Sequence, residues 1–480
     1  MSLLLRHCGW IYTCDERDKV IANGFIRIEG GHIEEIDHEP YAGAPAETNI
    51  DLAGAIVLPG LVNLHHHFFQ SLTKAVPPGT RATALDWLFQ MYPIWACYDA
   101  QAFSVASELA AAELLLSGAT TSADHSYFHP QLGVETLPAQ IEAVRRTGLR
   151  FHLVRGSVAT IEGDLESRLA RVMGDDVCSL IDDLPRLQSA TEAAVRRYHD
   201  SSDGAMLRID LGPTGVTYAK PELMRANAVL AAEYGCGLHT HYHPRELERE
   251  ISRRLVKQEP LRFLADAGWI RPRTWMAHST QLNDEEIAAF AEHGVGVAHC
   301  PHTIIRLGYP VTPVVRMRRA GIPVGIGVDG PASNDRSSMI TEMRLALLLH
   351  RANSAHDVEP ARDWLDANDV LAMATRESAR ILGRAEIGAL APGKRADVVA
   401  FDLTVIHYAG AVADPLAALL LAGCDSRAKL TVVDGQVLVR DGQLTRIDER
   451  TLVERANAAA HRILRTAAKR YPNAIVPRVL

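Results

Sequence analysis

The chain has 480 residues, 47% of them hydrophobic and 22% charged, the proportions of a folded protein large enough for one α/β barrel with an accessory domain. A net charge of −8 and a sequence pI near 6.2 exclude the broad basic surface of a general nucleic-acid or anionic-membrane binder. Seven scattered cysteines with no CxxC pair read as reduced thiols of a cytoplasmic protein, no basic-then-apolar leader is visible, and no apolar run reaches the ~18 residues of a membrane helix.

Residues 1–57 read as short strands and tight turns. GFIRIEGGHIEEID alternates apolar and polar positions about Gly30-Gly31, a hairpin signal. From 58 to 385 short apolar runs alternate with amphipathic stretches. Eight runs read as strands: LPGLVNLH, ATTSADH, LRFHLVRG, LRIDLGP, GCGLHTH, RTWMAHS, GVGVAHC and PVGIGVD. Between them, AFSVASELAAAELLLSG and PELMRANAVLAAEYG have helical periodicity and end in glycine, as a helix C-terminus does. This order predicts an α/β fold, a (β/α)8 TIM-like barrel. Strand patterns return over 386–445 in ALAPGKRADVVAFDL and AKLTVVDGQVLVRDGQL, so the two chain ends are expected to build one small β-sandwich. Residues 446–480 read as a tail dominated by an amphipathic helix.

Histidine is the compositional outlier, with 21 residues, several clustered at predicted strand ends. Active sites of this fold form at those ends. Asn63-Leu64-His65-His66-His67 closes the first barrel strand, and His65 and His67, two apart, can face one cation. GLHTHYHPRELE closes the fifth with His239, His241 and His243 at alternate positions. His278 closes the sixth, and VGIGVDGPASND places Asp329 at the end of the eighth, where a buried carboxylate needs a partner.

The order LPGLVNLHHH, then HTH, then a lone histidine, then GVDG-ASND resembles the amidohydrolase superfamily, in particular its mononuclear branch of cyclic deaminases and s-triazine hydrolases. GATTSADH, GVAHCP, MATRESARILG and APGKRADVVAFD extend the likeness over nearly the whole chain. The resemblance implies one divalent metal ion on His65, His67, His241 and Asp329, zinc by the imidazole-rich donor set, with iron the alternative. It implies that Asp329 also takes a proton from the attacking water, that His278 polarises the substrate, and that Gln70 and Trp87 contact the substrate ring. His239 is expected to support the ligands. The fourth strand run, MLRIDLGPTG, lacks the lysine that binuclear relatives use; the nearest, Lys220, lies beyond it.

The implied activity is hydrolysis of an amino or alkylamino substituent from a flat N-heterocycle, an aminotriazine, pterin or oxidised purine. The alternative is a hydrolase of the same fold acting on a C–Cl, amide or carbamate bond. The expected partners are a small heterocyclic substrate and further copies of the chain, as a homodimer or larger. One departure stands out. Deaminases of the branch carry a proton-shuttling Glu three residues after the fifth-strand ligand, and here that position is Pro244. Three accounts stay open: His243 is the general acid, Glu246 folds back to serve, or the leaving group needs no acid. After the seventh strand, Ile304 and Ile305 would make the pocket apolar if they face it, and Arg306 could supply a donor. Phe68, Phe69, Tyr92 and Trp95 are expected mainly to pack the core.

Overall fold

The computed structural model describes residues 2–161, 164–216, 219–353, 361–423 and 427–473; Cys424, Thr217 and Tyr218 and the end of the C-terminal tail lie outside them. All eight predicted barrel strands are present: β1 (Leu61–Asn63), β2 (Ala119–Ser126), β3 (Arg150–Arg155), β4 (Leu207–Leu211), β5 (Leu238–Tyr242), β6 (Thr274–His278), β7 (Gly296–His299) and β8 (Val324–Ile326). They pair in parallel in sequence order. The ring closes where Leu64 N–H donates to the Ile326 carbonyl and Asp329 N–H donates to the His65 carbonyl, each at 2.9 Å. The strands are buried on both faces, which is why they read as continuous apolar runs rather than alternating ones.

The run AIVLPGLVN serves two sheets. Ala55–Pro59 pairs antiparallel with Val398–Asp402, and the chain enters the barrel only after Gly60. A Cβ on Gly60 would stand 2.2 Å from Thr120 Oγ1, so the switch passes where no other residue fits. The accessory layer expected as a sandwich is one continuous nine-stranded sheet contributed by both chain ends. Leu3, Leu5, Ile26, Val398, Ala400 and Val432 share its core. The Gly30-Gly31 turn joins Val20–Glu29 to His32–His38, with both glycines at positive φ. Arg150, at the start of β3 and fully buried, holds Asp397 at 3.1 Å and ties this layer to the barrel floor.

Helices Ala100–Leu116 and Pro221–Tyr234 are followed by Gly118 and Gly235 in the left-handed region, the C-terminal geometry glycine favours. The C-terminal helix Glu449–Arg470 starts at Asp448, whose side chain accepts from Thr451 N–H. It buries Leu452, Ala456, Ala459 and Ile463 against Ala100–Leu116, with Arg462–Asp99 and Arg455–Glu108 pairs at the edges. Among the described residues no helix is long and apolar enough to cross a membrane.

Candidate metal centre and pocket

His65 and His67 leave β1, His241 lies on β5, His278 ends β6 and Asp329 follows β8, so four strand ends bring their polar groups to one mouth. His278 (φ 72°) and Asp329 (φ 61°) sit in the left-handed region, where a residue with a Cβ is held only by its surroundings. Thr312 Oγ1 donates to the His278 carbonyl at 2.9 Å, and Gly330 N–H donates to Asp329 Oδ1 at 2.7 Å. Gly330 is obligatory there: a Cβ would lie 1.9 Å from Gln70 Oε1.

Hydrogen bonds fix which nitrogen of each imidazole carries the proton. His67 Nδ1 lies 2.7 Å from the His125 carbonyl and His241 Nδ1 contacts the Thr214 carbonyl, so both donate there and leave Nε2 as the lone pair. His239 Nδ1 donates to the Trp275 carbonyl at 2.8 Å, which makes its Nε2 an acceptor for His65 Nδ1 at 2.7 Å. His65 is thereby left with a lone pair on Nε2, a buried atom that has no hydrogen-bond partner. Trp275 in turn donates from its indole to the Leu64 carbonyl at 3.0 Å, bracing the same strand end.

Three imidazole lone pairs and one carboxylate thus face each other. His65 Nε2 and His67 Nε2 stand 3.3 and 3.1 Å from Asp329 Oδ1, and His67 Nε2 stands 3.1 Å from His241 Nε2. Ligand atoms of His65, His67, His241 and Asp329 all lie within 4.8 Å of one another. Four acceptors this close repel one another unless a cation sits among them, so the donor set fits a divalent metal. Burial pushes His65 well below its usual pKa and His241 down to about 3, which keeps both neutral, as ligands must be.

The centre forms the floor of a cavity of about 120 Å³. Ala84, Leu85, Trp87 and Leu88 supply an apolar wall; Tyr127, Thr303, Ser333, Arg245 and Glu248 supply polar atoms. His278 reaches the floor with Nε2 3.7 Å from Asp329 Oδ2, and burial lowers its pKa to about 4. His243 lines the pocket too, stacked between His278 (4.5 Å) and Tyr309 (4.4 Å), with a buried Nδ1 that has no partner.

The other sequence-predicted residues separate into three groups. Trp87 lines the pocket, its indole N–H taken by the Ala332 carbonyl at 2.9 Å. Gln70 is fully buried below the lining, donating to Tyr127 Oη at 3.2 Å, with Oε1 unpartnered. His239 stands behind His65, its ring stacked on Trp275. Glu246 does not fold back: it begins the helix Glu246–Leu255, points to solvent and pairs with Arg253 at 2.7 Å. Ile304 is buried in the core, Ile305 is 52% exposed, and Arg306 binds Asp335, so Thr303 is the residue of that helix that faces the pocket. Phe68, Phe69, Tyr92 and Trp95 pack in the core, and Lys220 is exposed. Sequence reasoning missed Tyr127, Arg245, Glu248 and Tyr309.

An amidohydrolase family profile matches residues 56–438. The 8-oxoguanine deaminase of Pseudomonas aeruginosa is 37% identical over 455 residues, covering 95% of this chain and 97% of its own. The hydroxydechloroatrazine ethylaminohydrolase of Pseudomonas sp. strain ADP is 34% identical over 418 residues, covering 86% and 84%. The crystal structure of atrazine chlorohydrolase from Arthrobacter aurescens TC1, complexed with zinc, superposes with a TM-score of 0.87 at 33% identity, covering 95% of this chain and 100% of its own. With the barrel, the accessory sheet and the four converging donors in place, the chain belongs to the amidohydrolase family.

Proposed function

We propose that the protein is a metal-dependent aminohydrolase that replaces an amino or alkylamino substituent on a flat N-heterocycle, an aminotriazine, pterin or oxidised purine, with the oxygen of water. The observation that carries this reading is the convergence of three tautomer-fixed imidazoles and Asp329 on the floor of a pocket with one aromatic-aliphatic wall. Relatives named for deamination of 8-oxoguanine and removal of ethylamine from hydroxydechloroatrazine support the bond type.

His65, His67, His241 and Asp329 would hold one divalent cation, zinc or iron. Such a cation supplies Lewis-acid activation of water at neutral pH. Asp329 would take a proton from the attacking water as the water oxygen bonds to the ring carbon. His278, beside Asp329, stabilises the charge that develops on the ring. The C–N bond then breaks, and the leaving nitrogen departs with the proton that Asp329 took from the water, a relay assigned to His243, which lines the pocket where no carboxylate stands at position 244. Trp87 lines the wall against which the ring would rest, and Gln70, buried behind the lining, braces Tyr127. A homodimer or larger assembly in the cytoplasm belongs to the same proposal.

The test is a panel of aminotriazines, pterins and oxidised purines with metal-replete protein, scored for ammonia or alkylamine release. Release supports the reading, and no release across the panel overturns it. Chlorotriazines form the second arm, because Pro244 replaces the proton-shuttling carboxylate and chloride leaves without a proton. Chloride release without amine release would replace aminohydrolysis by dehalogenation.

A further inference from the structure

The helix Glu246–Leu255 is pinned rather than merely attached to the barrel. Glu286, fully buried, accepts from Tyr242 Oη at 2.6 Å and from Arg249 Nη2 at 2.7 Å, so one carboxylate ties the helix to β5 between His241 and His243. The same carboxylate closes a capping box with Asn283. With its phase fixed, the helix sends Glu246 and Leu247 to solvent and turns Glu248, nine-tenths buried, into the pocket. Arg245 Nε lies 3.1 and 3.0 Å from the two Glu248 oxygens and its Nη2 also contacts Oε1, while its guanidinium rests 4.8 Å over the Tyr309 ring.

A carboxylate in an otherwise apolar and imidazole-lined pocket is expensive to bury unless it is paired. Arg245 pairs it and cancels its charge, so the pocket carries no net field from the two and does not favour a cationic ligand. What remains is acceptor capacity: a carboxylate has about four lone-pair sites, and the contacts from Arg245 fall mainly on Oε1. Ala84, Leu85 and Leu88, which also line the pocket, offer no hydrogen bond to a substrate from their side chains. A flat ring in this pocket therefore finds apolar side chains along Ala84–Leu88 and an acceptor at Glu248.

We infer that Glu248 is a specificity-determining residue that accepts a hydrogen bond from a ring N–H on the substrate edge away from the reacting carbon, with Arg245 as its positioning residue. The inference rests on the aminohydrolase reading and narrows its substrate to neutral heterocycles that carry such an N–H, the lactam edge of an oxidised purine or pterin. Rings alkylated or unprotonated at that position leave the lone pairs of Glu248 that Arg245 does not occupy without a donor and are rejected.

The test uses metal-loaded full-length protein, 8-oxoguanine, and its derivatives methylated at one ring nitrogen at a time, with affinity read by calorimetry and turnover by ammonia release. In the wild type, one methylation position weakens binding roughly 10- to 100-fold, the worth of a hydrogen bond to a charged group. In Glu248→Ala that penalty falls to about twofold or less, and KM for 8-oxoguanine rises while kcat is largely kept. Glu248→Gln keeps the packing and an amide oxygen, and it retains an intermediate penalty. Metal content and unfolding temperature of both variants establish folding. A methylation penalty unchanged in both variants overturns the inference, as does a collapse of kcat at unchanged KM, which would make Glu248 a proton carrier. Failure of the underlying aminohydrolase reading looks different: the wild type then releases no amine from any heterocycle.

Discussion

The position of His239 makes a prediction whose size follows from the structure. Replacing it with Phe keeps a flat ring on Trp275, which now lies 4.6 Å away at 16°, but removes both nitrogens. His65 Nδ1–H loses its acceptor and the Trp275 carbonyl loses its donor, both in fully buried surroundings. In the metal-free variant His65 is released to move its proton to Nε2, toward Asp329, and a cation must reverse that shift to bind. An unpaired buried donor costs about 1–3 kcal/mol, and about 1.4 kcal/mol is a factor of ten. Metal affinity should therefore fall roughly 5- to 150-fold, the size expected for losing the partner behind a ligating imidazole. Chelator competition on wild type and His239→Phe, with metal content read by elemental analysis, measures it, and activity should return at higher zinc concentration. Metal affinity within about twofold of the wild type would refute the tautomer relay.

Four further outcomes follow from the same geometry. His243→Asn should keep bound metal and lose about 10²- to 10⁴-fold in kcat, the range for a general acid; unchanged steady-state turnover would remove His243 from the reaction. Glu246→Ala should change kcat/KM and unfolding free energy by no more than about 0.5 kcal/mol, because Glu246 faces solvent. Burial pushes the Glu342 carboxyl up to about 8, against ~4.3 in an unfolded chain, so between these values the folded state holds the extra proton. Stability therefore falls as pH rises through that window. Glu342→Gln, which keeps the Asn334 partnership, should flatten the decline in urea unfolding followed from pH 5 to pH 8. Gly212→Ala would place a Cβ 1.6 Å from the His239 carbonyl and should destabilise by about 3 kcal/mol or more, read by denaturant unfolding.

The barrel was legible because each of its strands is buried on both faces and stands out as a short apolar run between helical stretches. The ligand set was legible for a related reason: His65, His67, His241 and Asp329 sit at the ends of such runs, where a polar cluster needs a purpose. Three features were not legible, and each depends on direction rather than on residue type. In AIVLPGLVN the Pro59-Gly60 pair marks a break, and the boundary read at 57/58 falls just short of it; that the chain changes sheet at Gly60, in a close approach to Thr120, only packing reveals. Glu246 and Glu248 look equivalent in sequence, and the phase of their helix, set by the distant Glu286, decides which one reaches the pocket. In Pro301–Arg306 the same kind of phase turns Thr303 inward and Ile305 outward, which reverses the apolar pocket wall expected from the isoleucines.

The central claim is hydrolysis that depends on one cation held by His65, His67, His241 and Asp329. The most direct measurement strips the protein of metal and titrates it with zinc while following amine release from a heterocycle that the panel shows to be turned over. The account predicts no release from the stripped protein and a linear rise that breaks at one equivalent per chain. Undiminished release without metal, or a break at two equivalents, would contradict it.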